Sequence, residues 1–311
     1  MRLSIIVCTR NRAQDIEACL ASIAVTLGRA SPIDAELIVI DNGSTDDTSA
    51  RVEAWAELQS FPVRLIYEPR AGLSVARNTA IRAARGDLLA FTDDDCRMSP
   101  DYVVELLRHD AQDQGLVLRG GRVALGRPDD LPLSIKMQAE PQTWVRAQAV
   151  TRHENLGDSL MGCSFTMRRE LAEKLGPFDE NLGAGSPIPG AEDTDYVYRA
   201  YLAGATIAYV PDMAITHFHG RKTAAEGNRL FRNYALGWGA LYAKYLFRYP
   251  GFCRPLVWDV KNALKEIATG RNQFMPSVGF SHKDKVLYSL WGAAKYLRTS
   301  LLHIDQRRVK P

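Results

Sequence analysis

No apolar run in this 311-residue chain reaches the roughly 18–20 residues that a bilayer-spanning helix needs. The N-terminal "MRLSIIVCTRNR" returns to charge too soon for a signal peptide. Cysteine is scarce and scattered. Cys8, Cys19, Cys96, Cys163 and Cys253 form no close pair and no metal-like spacing, which argues against a disulfide framework or a zinc module. An odd, dispersed set reads as reduced thiols in a cytosolic protein, soluble or peripheral on the cytoplasmic membrane face. The turn after the first apolar run, "CTRNRAQD", holds no glycine, so the dinucleotide fingerprint is missing. Repeats and low-complexity segments are also missing.

What is present is an ordinary globular composition, 46% hydrophobic and 24% charged, with a hidden charge asymmetry. Residues 221–311 carry 17 Lys/Arg against 5 Asp/Glu, whereas residues 1–220 carry 22 against 31. A +12 tail on a −9 body points to an anionic contact such as lipid head groups or nucleic acid, or to a solvated helical face.

The first hundred residues alternate strand and helix signals. "LSIIVCT", "AELIVIDNGS", "PVRLIYEPR" and "DLLAFT" read as buried strands. Between them "AQDIEACLASIAVTL", "TDDTSARVEAWAEL" (Thr45 as N-cap) and "LSVARNTAIRAAR" (ended by Gly86) read as helices. This alternation predicts βαβ units and a mainly parallel central sheet flanked by helices. Further on, Ser99 signals the cap of "DYVVELLRHDAQ", and "LVLRGGRVAL" is a strand or hairpin. Residues 126–157 read as irregular, and "SLMGCSFTMRR" as a strand leading into the helix "ELAEKL". The loop "GAGSPIPGAED" opens another helix, and "TIAYVP" and "MAITHFHG" are two further strands. Beyond residue 221 only helical signals remain, which sets a boundary near 220.

Open parallel sheets bind ligands outside the carboxyl ends of their strands. The four strand ends here carry Thr9, Arg10 and Arg12, then Asp41, then Glu68 and Arg70, then Asp93, Asp94 and Asp95. Gly72 at the start of the third helix would let backbone N–H groups approach an anion; a tight, closely packed turn is the alternative. Side chains alternate along a strand, so Asp93 and Asp95 are expected on one face with Asp94 turned away. Two such carboxylates suit a divalent cation on a phosphorylated ligand. Glu192, Asp193 and Asp195 open a helix after the glycine-rich loop, where acids also simply favour the helix dipole. His217 and His219 share one strand face as ligands or proton carriers, or as structural histidines.

Seven stretches in register, "SIIVCTRNR", "IVIDNGSTDDT", "AGLSVARNTAI", "LLAFTDDDC", "GCSFTMRRELAEKLGPFDENL", "GAEDTDYVYRAYLAG" and "VPDMAITHFHG", resemble family 2 glycosyltransferases over about residues 1–220. The resemblance implies an α/β, GT-A type, Rossmann-like fold, with a nucleotide-binding half (1–100), an acceptor-binding half (101–220) and a basic helical tail (221–311). It implies inverting transfer of a sugar from a nucleoside diphosphate sugar, UDP- or dTDP-linked, to a glycan or lipid-linked hydroxyl. By position, Thr9, Arg10 and Arg12 would border the nucleotide and Asp41 its base, while Arg70, Gly72 and Asn78 would shape the pocket. Asp93, near the ribose, and Asp95 become the D-x-D pair for Mn²⁺ or Mg²⁺, with Asp94 a third candidate. His217, or in second place His219, would complete the metal site. Asp193, beside Glu192, would be the general base, and Gly162, Cys163, Ser164 and Phe165 would line the acceptor side. A retaining transferase, a nucleotidyltransferase and a non-catalytic binding scaffold are the alternatives.

The tail lies outside the resemblance. Its stretches "RLFRNYALGWGALYAKYLFRYPGFCRPLVW" and "KDKVLYSLWGAAKYLRTSLLHIDQRRVK" mix aromatic, aliphatic and basic residues. Lys283–Lys310 holds seven basic residues against Asp284 and Asp305. Such helices fit an anionic membrane surface; a helical cap or a homo-oligomer contact is the alternative, and no nucleic-acid motif is present.

Overall fold

The computed structural model describes residues 1–146 and 156–308, so part of the expected irregular stretch and the Lys310 end of the basic run lie outside the described residues. The chain divides into two compact units. One comprises the described residues of Met1–Val150, Asn155–Phe178 and Tyr196–Gly220; the other is built on Asp179–Asp195 and Arg221–Pro311.

The first unit starts with β1 (Leu3–Thr9), α1 (Ile16–Arg29), β2 (Ala35–Asp41), α2 (Thr48–Ala56), β3 (Val63–Tyr67), α3 (Leu73–Ala83) and β4 (Leu88–Asp93). β5 (Cys96–Met98), α4 (Tyr102–Gln112), β6 (Val117–Leu125), β7 (Gln142–Trp144), β8 (Thr166–Arg168) and α5 (Arg169–Leu175) follow. Helix α6 (Glu192–Leu202), from Tyr196 onwards, and β9 (Thr206–His217) complete its elements. The sheet order is β3-β2-β1-β4-β8-β6-β9-β5, with β7 on β9. β1 to β4 pair in parallel, as do β6 and β9, while β8, β5 and β7 join antiparallel. Parallel pairing is thus concentrated in the first hundred residues, where continuous β-branched runs sit between helices.

Leu3, Ile5 and Val7 of β1 pack with Ile16, Leu20 and Ile23 of α1 and Val103 and Leu106 of α4 in one buried cluster. Each such side chain contributes about 1.5–3 kcal/mol by leaving water. At the strands' amino ends Glu36, fully buried, accepts hydrogen bonds from Ser4 Oγ (2.6 Å), Arg85 N (2.7 Å) and Arg64 (3.1 Å).

Several local expectations are corrected. Helix α2 starts at Thr48 with Asp47 at its N-cap, because Thr45 is held by Asn11 Oδ1, which accepts from its backbone N–H at 2.8 Å. Helix α3 ends when Ala84 turns extended (ψ 143°), not at Gly86. Gly86 instead allows close approach to β1, since a Cβ there would lie 2.4 Å from Ser4 N. Asp101, not Ser99, occupies the N-cap of α4. The two strands expected at 206–220 are one strand, β9. Its register with β6 jumps from Gly121↔Val210 to Val123↔Ile215, which accommodates Pro211 without a donor. The short strand β7 arises where no strand signal was read, and Gly162–Ser164 is a 3₁₀ turn before β8.

The second unit contains α7 (Ala224–Tyr245), α8 (Arg254–Thr269) and α9 (His282–Arg308), with 3₁₀ turns at Pro250–Cys253 and Pro276–Val278. A capping box opens α7: Thr223 and Glu226 exchange side-chain-to-backbone hydrogen bonds. No helix among the described residues is long and apolar enough to cross a membrane.

Candidate active site

The carboxyl ends of β1, β2 and β3 are tied together by asparagine and serine side chains. Asn11 adopts a left-handed backbone (φ 54°), which asparagine tolerates. Its N–H donates to Ser44 Oγ (2.9 Å), and Arg12 N donates to Thr48 Oγ1 (2.8 Å), so the loop after β1 is laced to the loop after β2. Thr9 and Asp41 face each other in register and are both buried, while Arg10 is exposed. The Asp41 carboxylate accepts from Ser44 N (2.8 Å) and from the Ser49 hydroxyl.

Asn42 is the strut of this region. Its amide donates to the carbonyls of Glu68 (3.1 Å) and Arg70 (2.7 Å), and its oxygen accepts from Gly72 N (2.9 Å). Gly72, with φ 133°, holds a conformation that side chains rarely adopt, and it leads into α3. Glu68 accepts from Arg70 N (3.0 Å), from the Arg70 guanidinium (3.1 Å) and from Thr79 Oγ1 (2.7 Å). The Arg70 bonds hold its carboxyl down at about 2; burial opposes them and Thr79 adds to them. Asn78 is buried, its amide bonded to both the carbonyl (3.0 Å) and N–H (2.7 Å) of Phe178. These bonds anchor α3 to the segment that ends at Phe178.

β4 ends at Asp93, and Asp94 and Asp95 form the turn to β5. Strand alternation therefore stops at Asp93, and Asp94 does not turn away from Asp95. Arg12 reaches both, with Nε 3.2 Å from Asp94 and Nη2 3.5 Å from Asp95. Asp93 meets buried Arg77 at 3.4 Å. The like charges are thus offset in the first instance by two arginines of the chain itself. Asp94 is almost fully buried, and desolvation, opposed by Arg12 and reinforced by Asp95, pushes its carboxyl up to about 7.

His217, facing Cys96 in the β5–β9 register, places Nε2 3.3 Å from Asp95 Oδ1 and Nδ1 3.0 Å from the Ser134 carbonyl. Burial works against its charge, but the Asp95 hydrogen bond and nearby negative groups outweigh it and raise the imidazole to about 9. His219 instead directs Nε2 to the Leu131 carbonyl at 3.1 Å. Ligand atoms of Asp95, Cys96 and His217 lie within 4.8 Å of one another. The donor set fits a divalent cation through a carboxylate oxygen and an imidazole nitrogen. Cys96 is a poor third ligand, because a hydrogen bond that it donates to Cys163 and its burial hold its thiol protonated. A cavity of about 130 Å³ opens beside Arg12, Asp94, Asp95 and His219.

In the second unit, Ala191 has a left-handed backbone (φ 67°) immediately before the acids that open α6. Glu192 is buried against Gly183, where an added Cβ would lie 3.1 Å from its Cγ. Asp195 is fully buried, accepting from Tyr245 Oη (2.8 Å) and pairing with Lys244 (2.9 Å). Asp193 is the more open of the three, its carboxylate accepting from Thr194 N at 2.7 Å.

The expected acceptor-lining segment lies in the interior. Cys163, Ser164 and Phe165 are buried; Ser164 Oγ accepts from Gly121 N (3.0 Å), and Gly162 begins the same buried turn. The segment is thus packed beside β6, with its backbone and the Ser164 hydroxyl in the interior.

Asn11, Asn42 and Arg77 were not singled out from sequence. Asn42-Gly43 looks like turn chemistry alone, whereas Arg77 carries a legible signal, a cation within the small and apolar stretch that holds Val75, Ala76 and Ala80.

Two curated relatives have about a quarter of their aligned residues in common with this chain. The succinoglycan biosynthesis protein ExoM of Rhizobium meliloti is 27% identical over 216 residues, covering 68% of this chain and 65% of that protein. Glycosyltransferase AglE of Haloferax volcanii is 26% identical over 215 residues, covering 69% and 66%. The chain thus spans slightly less than two thirds of either. Among solved structures, S. aureus TarS 1-349 in complex with UDP aligns over 96% of this chain and 92% of its own, with TM-score 0.55 and 19% identity. The mannosyltransferase PcManGT from Pyrobaculum calidifontis, in complex with GDP-Man and Mn²⁺, aligns over 95% and 87%, with TM-score 0.58 and 20% identity. At such identities the likeness shows the fold, and it is the expected GT-A type. The family model for glycosyl transferase family 2 matches residues 4–176, more than half of the sequence, and the chain belongs to that family.

Proposed function

We propose that this protein is a metal-dependent inverting glycosyltransferase that moves a sugar from a UDP- or dTDP-linked donor to a hydroxyl of a glycan or lipid-linked acceptor. The observation that carries the reading is the meeting of Asp95 and His217 at 3.3 Å beside the carboxyl ends of the parallel strands. Residues 1–100 form the donor-binding half in this reading and 101–220 the acceptor half, with 221–311 an appended helical region. Asp41 and the Asn42-braced loop around Gly72 receive the nucleoside, with Thr9, Arg10, Arg12 and Arg70 along its edge and Asp93 near the ribose. A divalent cation held by Asp95 and His217 would offset the charge that the diphosphate gains as it leaves.

Asp193 takes the proton of the acceptor hydroxyl as the oxygen attacks the anomeric carbon, and the bond to the diphosphate breaks on the opposite face. Its openness beside buried Glu192 and ion-paired Asp195 favours it among the three acids. The UDP complex of TarS supports a uridine donor, and the GDP-mannose complex makes a guanosine donor the necessary comparison.

The reading is tested by thermal shift against UDP-, dTDP- and GDP-sugars with and without Mn²⁺ or Mg²⁺, since a ligand of the folded state raises Tm. A metal-dependent rise with a uridine or thymidine donor, lost in Asp95→Ala, is expected. No rise with any nucleotide sugar would overturn it. NMR of the product's anomeric proton then separates inversion from retention.

A further inference from the structure

Helices α8 and α9 are built inside out. In α8 the buried positions include Asp259 and Glu266, while Val257, Leu264 and Ile267 are each more than half exposed. With Val260 these apolar residues follow the 3-4-3 spacing of a single helical stripe, the stripe that a soluble helix normally turns inward. The acids face α9 and its leading turn instead. Asp259 accepts from His282 Nδ1 (2.9 Å) and pairs with Lys285 (2.8 Å). Glu266 accepts from the backbone N–H groups of Gln273 (2.8 Å) and Lys283 (3.3 Å).

Helix α9 repeats the inversion. Its small residues pack on α7 so closely that a Cβ on Gly292 would lie 2.0 Å from the Leu236 carbonyl oxygen, and one on Gly239 1.8 Å from that of Ser289. Leu287, Leu290 and Trp291, at helical spacing, are left more than half exposed. Both helices thus spend polar and small residues on packing and leave large apolar ones in water. A patch of this kind marks a surface that something covers.

Charge identifies the occupant. Residues 254–300 hold eight Lys/Arg against three Asp/Glu. All three acids are engaged inside the unit, the third being Asp284, which accepts from Ser281 N (3.0 Å) and Oγ (2.6 Å). The outer surface is therefore apolar and cationic, with exposed Lys261 and Lys265 interleaved with the α8 stripe. A second copy would bring the same positive charge to a self-complementary contact and be repelled. An anionic bilayer meets both features at once: acyl chains cover the leucines, and phosphates meet the lysines. Trp258 and Trp291, both exposed, are the residue type favoured at the head-group level.

We propose that the α8/α9 surface docks on an anionic lipid bilayer, lying in the interface rather than crossing it. The full chain is tested by co-sedimentation with phosphatidylglycerol/phosphatidylcholine vesicles and with phosphatidylcholine vesicles alone, without any sugar donor. Binding to the anionic vesicles is expected, weakened by high salt and by at least about tenfold on pure phosphatidylcholine. Leu264→Glu with Trp291→Glu, and the milder Leu264→Gln with Trp291→Gln, should release the protein while its circular dichroism stays unchanged. Lys261→Glu with Lys265→Glu should weaken binding by about fivefold or more for each charge reversed. Equal affinity for both vesicle types, or binding untouched by these substitutions, would overturn the proposal. So would light scattering that shows a dimer dissolved by the leucine and tryptophan changes, which would make the face a self-contact.

Discussion

His217 Nε2 lies 3.3 Å from Asp95 Oδ1, while the opposite ring nitrogen is 3.0 Å from the Ser134 carbonyl. A carbonyl partner fixes Nδ1 as the nitrogen that keeps its proton, so a cation that displaces the Nε2 proton finds Nε2 as the ligand atom beside the carboxylate. His219 uses its own Nε2 on the Leu131 carbonyl. His217→Ala should therefore weaken Mn²⁺ binding by about 10–100-fold, and Asp95→Ala should remove the metal-induced rise in Tm. His219→Ala should leave metal affinity nearly unchanged. Titration of Mn²⁺ by calorimetry checks all three, and the reverse ranking of the histidines would reassign the ligand.

Asn42 braces the ends of β2 and β3 against the start of α3. Removing its amide strands two carbonyls and the Gly72 N–H in a largely buried place. Each unsatisfied buried group costs about 1–3 kcal/mol. Asn42→Ala should lower the urea midpoint and, because the Gly72 loop loses its anchor, weaken donor binding as well. Asn42→Asp keeps the acceptor for Gly72 and loses the donors, so it should fall between. A destabilised variant with unchanged donor affinity would confine Asn42 to folding.

Glu68 gives the stability a signature in acid. Its folded pKa, about 2, lies below the ordinary value of 4.5, so the folded state holds the carboxylate more tightly charged than the unfolded state does. The contribution is fully present above the unfolded pKa and is lost as pH falls through the window from about 4.5 to about 2. Glu68→Gln should flatten the fall in stability across that window and lower stability at neutral pH. Unfolding curves from pH 7 to 2.5 compare the two, and parallel curves would show that the Arg70 and Thr79 bonds carry no net stabilisation.

The β6–β9 pair depends on a missing side chain. A Cβ on Gly121 would stand 1.6 Å from the Met213 carbonyl oxygen, backbone against backbone, so relief requires the strands to separate. Gly121→Ala should destabilise the protein by at least about 1–3 kcal/mol. Gly176→Ala is a comparison of another kind: no atom lies near its added Cβ, and only the positive φ (72°) is strained. Its loss should be smaller, read as a shift in thermal midpoint.

The legible parts of the molecule were those whose physics is local. Leu3–Thr9 has the same bounds in sequence and structure because a short, mostly apolar run centred on β-branched Ile5, Ile6 and Val7 admits little else. The acids at Asp93–Asp95 stood out as an expensive crowding of like charge, and their place at a strand end followed from periodicity. Their orientation did not, because it turns on the strand ending one residue before Asp94. That ending is set by the β4–β5 turn and the reach of Arg12 from a distant loop. β9 was split in two because Pro211 reads as a stop, yet the sheet absorbs it in a register shift. Asn42 was passed over because turn chemistry explains an asparagine before glycine, and its bonds to residues 26 to 30 positions away leave no local trace.

Asp193 and Asp195 stand two residues apart in the opening of α6, yet their surroundings give them opposite duties. Asp195 is fully buried and holds Tyr245 and the half-buried Lys244, so Asp195→Asn removes a charge-assisted hydrogen bond and should cost about 1.5–3 kcal/mol. Its lost activity should return in proportion to the fraction folded, for instance at lower temperature. Asp193 is partly open, and its carboxylate accepts from the backbone N–H (2.7 Å) and the hydroxyl (3.4 Å) of Thr194. Asp193→Asn should leave Tm and donor binding intact while kcat falls by about 10²–10⁴-fold, the usual share of a general base. Cooling should not restore it. The two variants, compared by thermal unfolding, donor titration and initial rates, separate proton abstraction from scaffold. Transfer unchanged in Asp193→Asn would move the base to another residue.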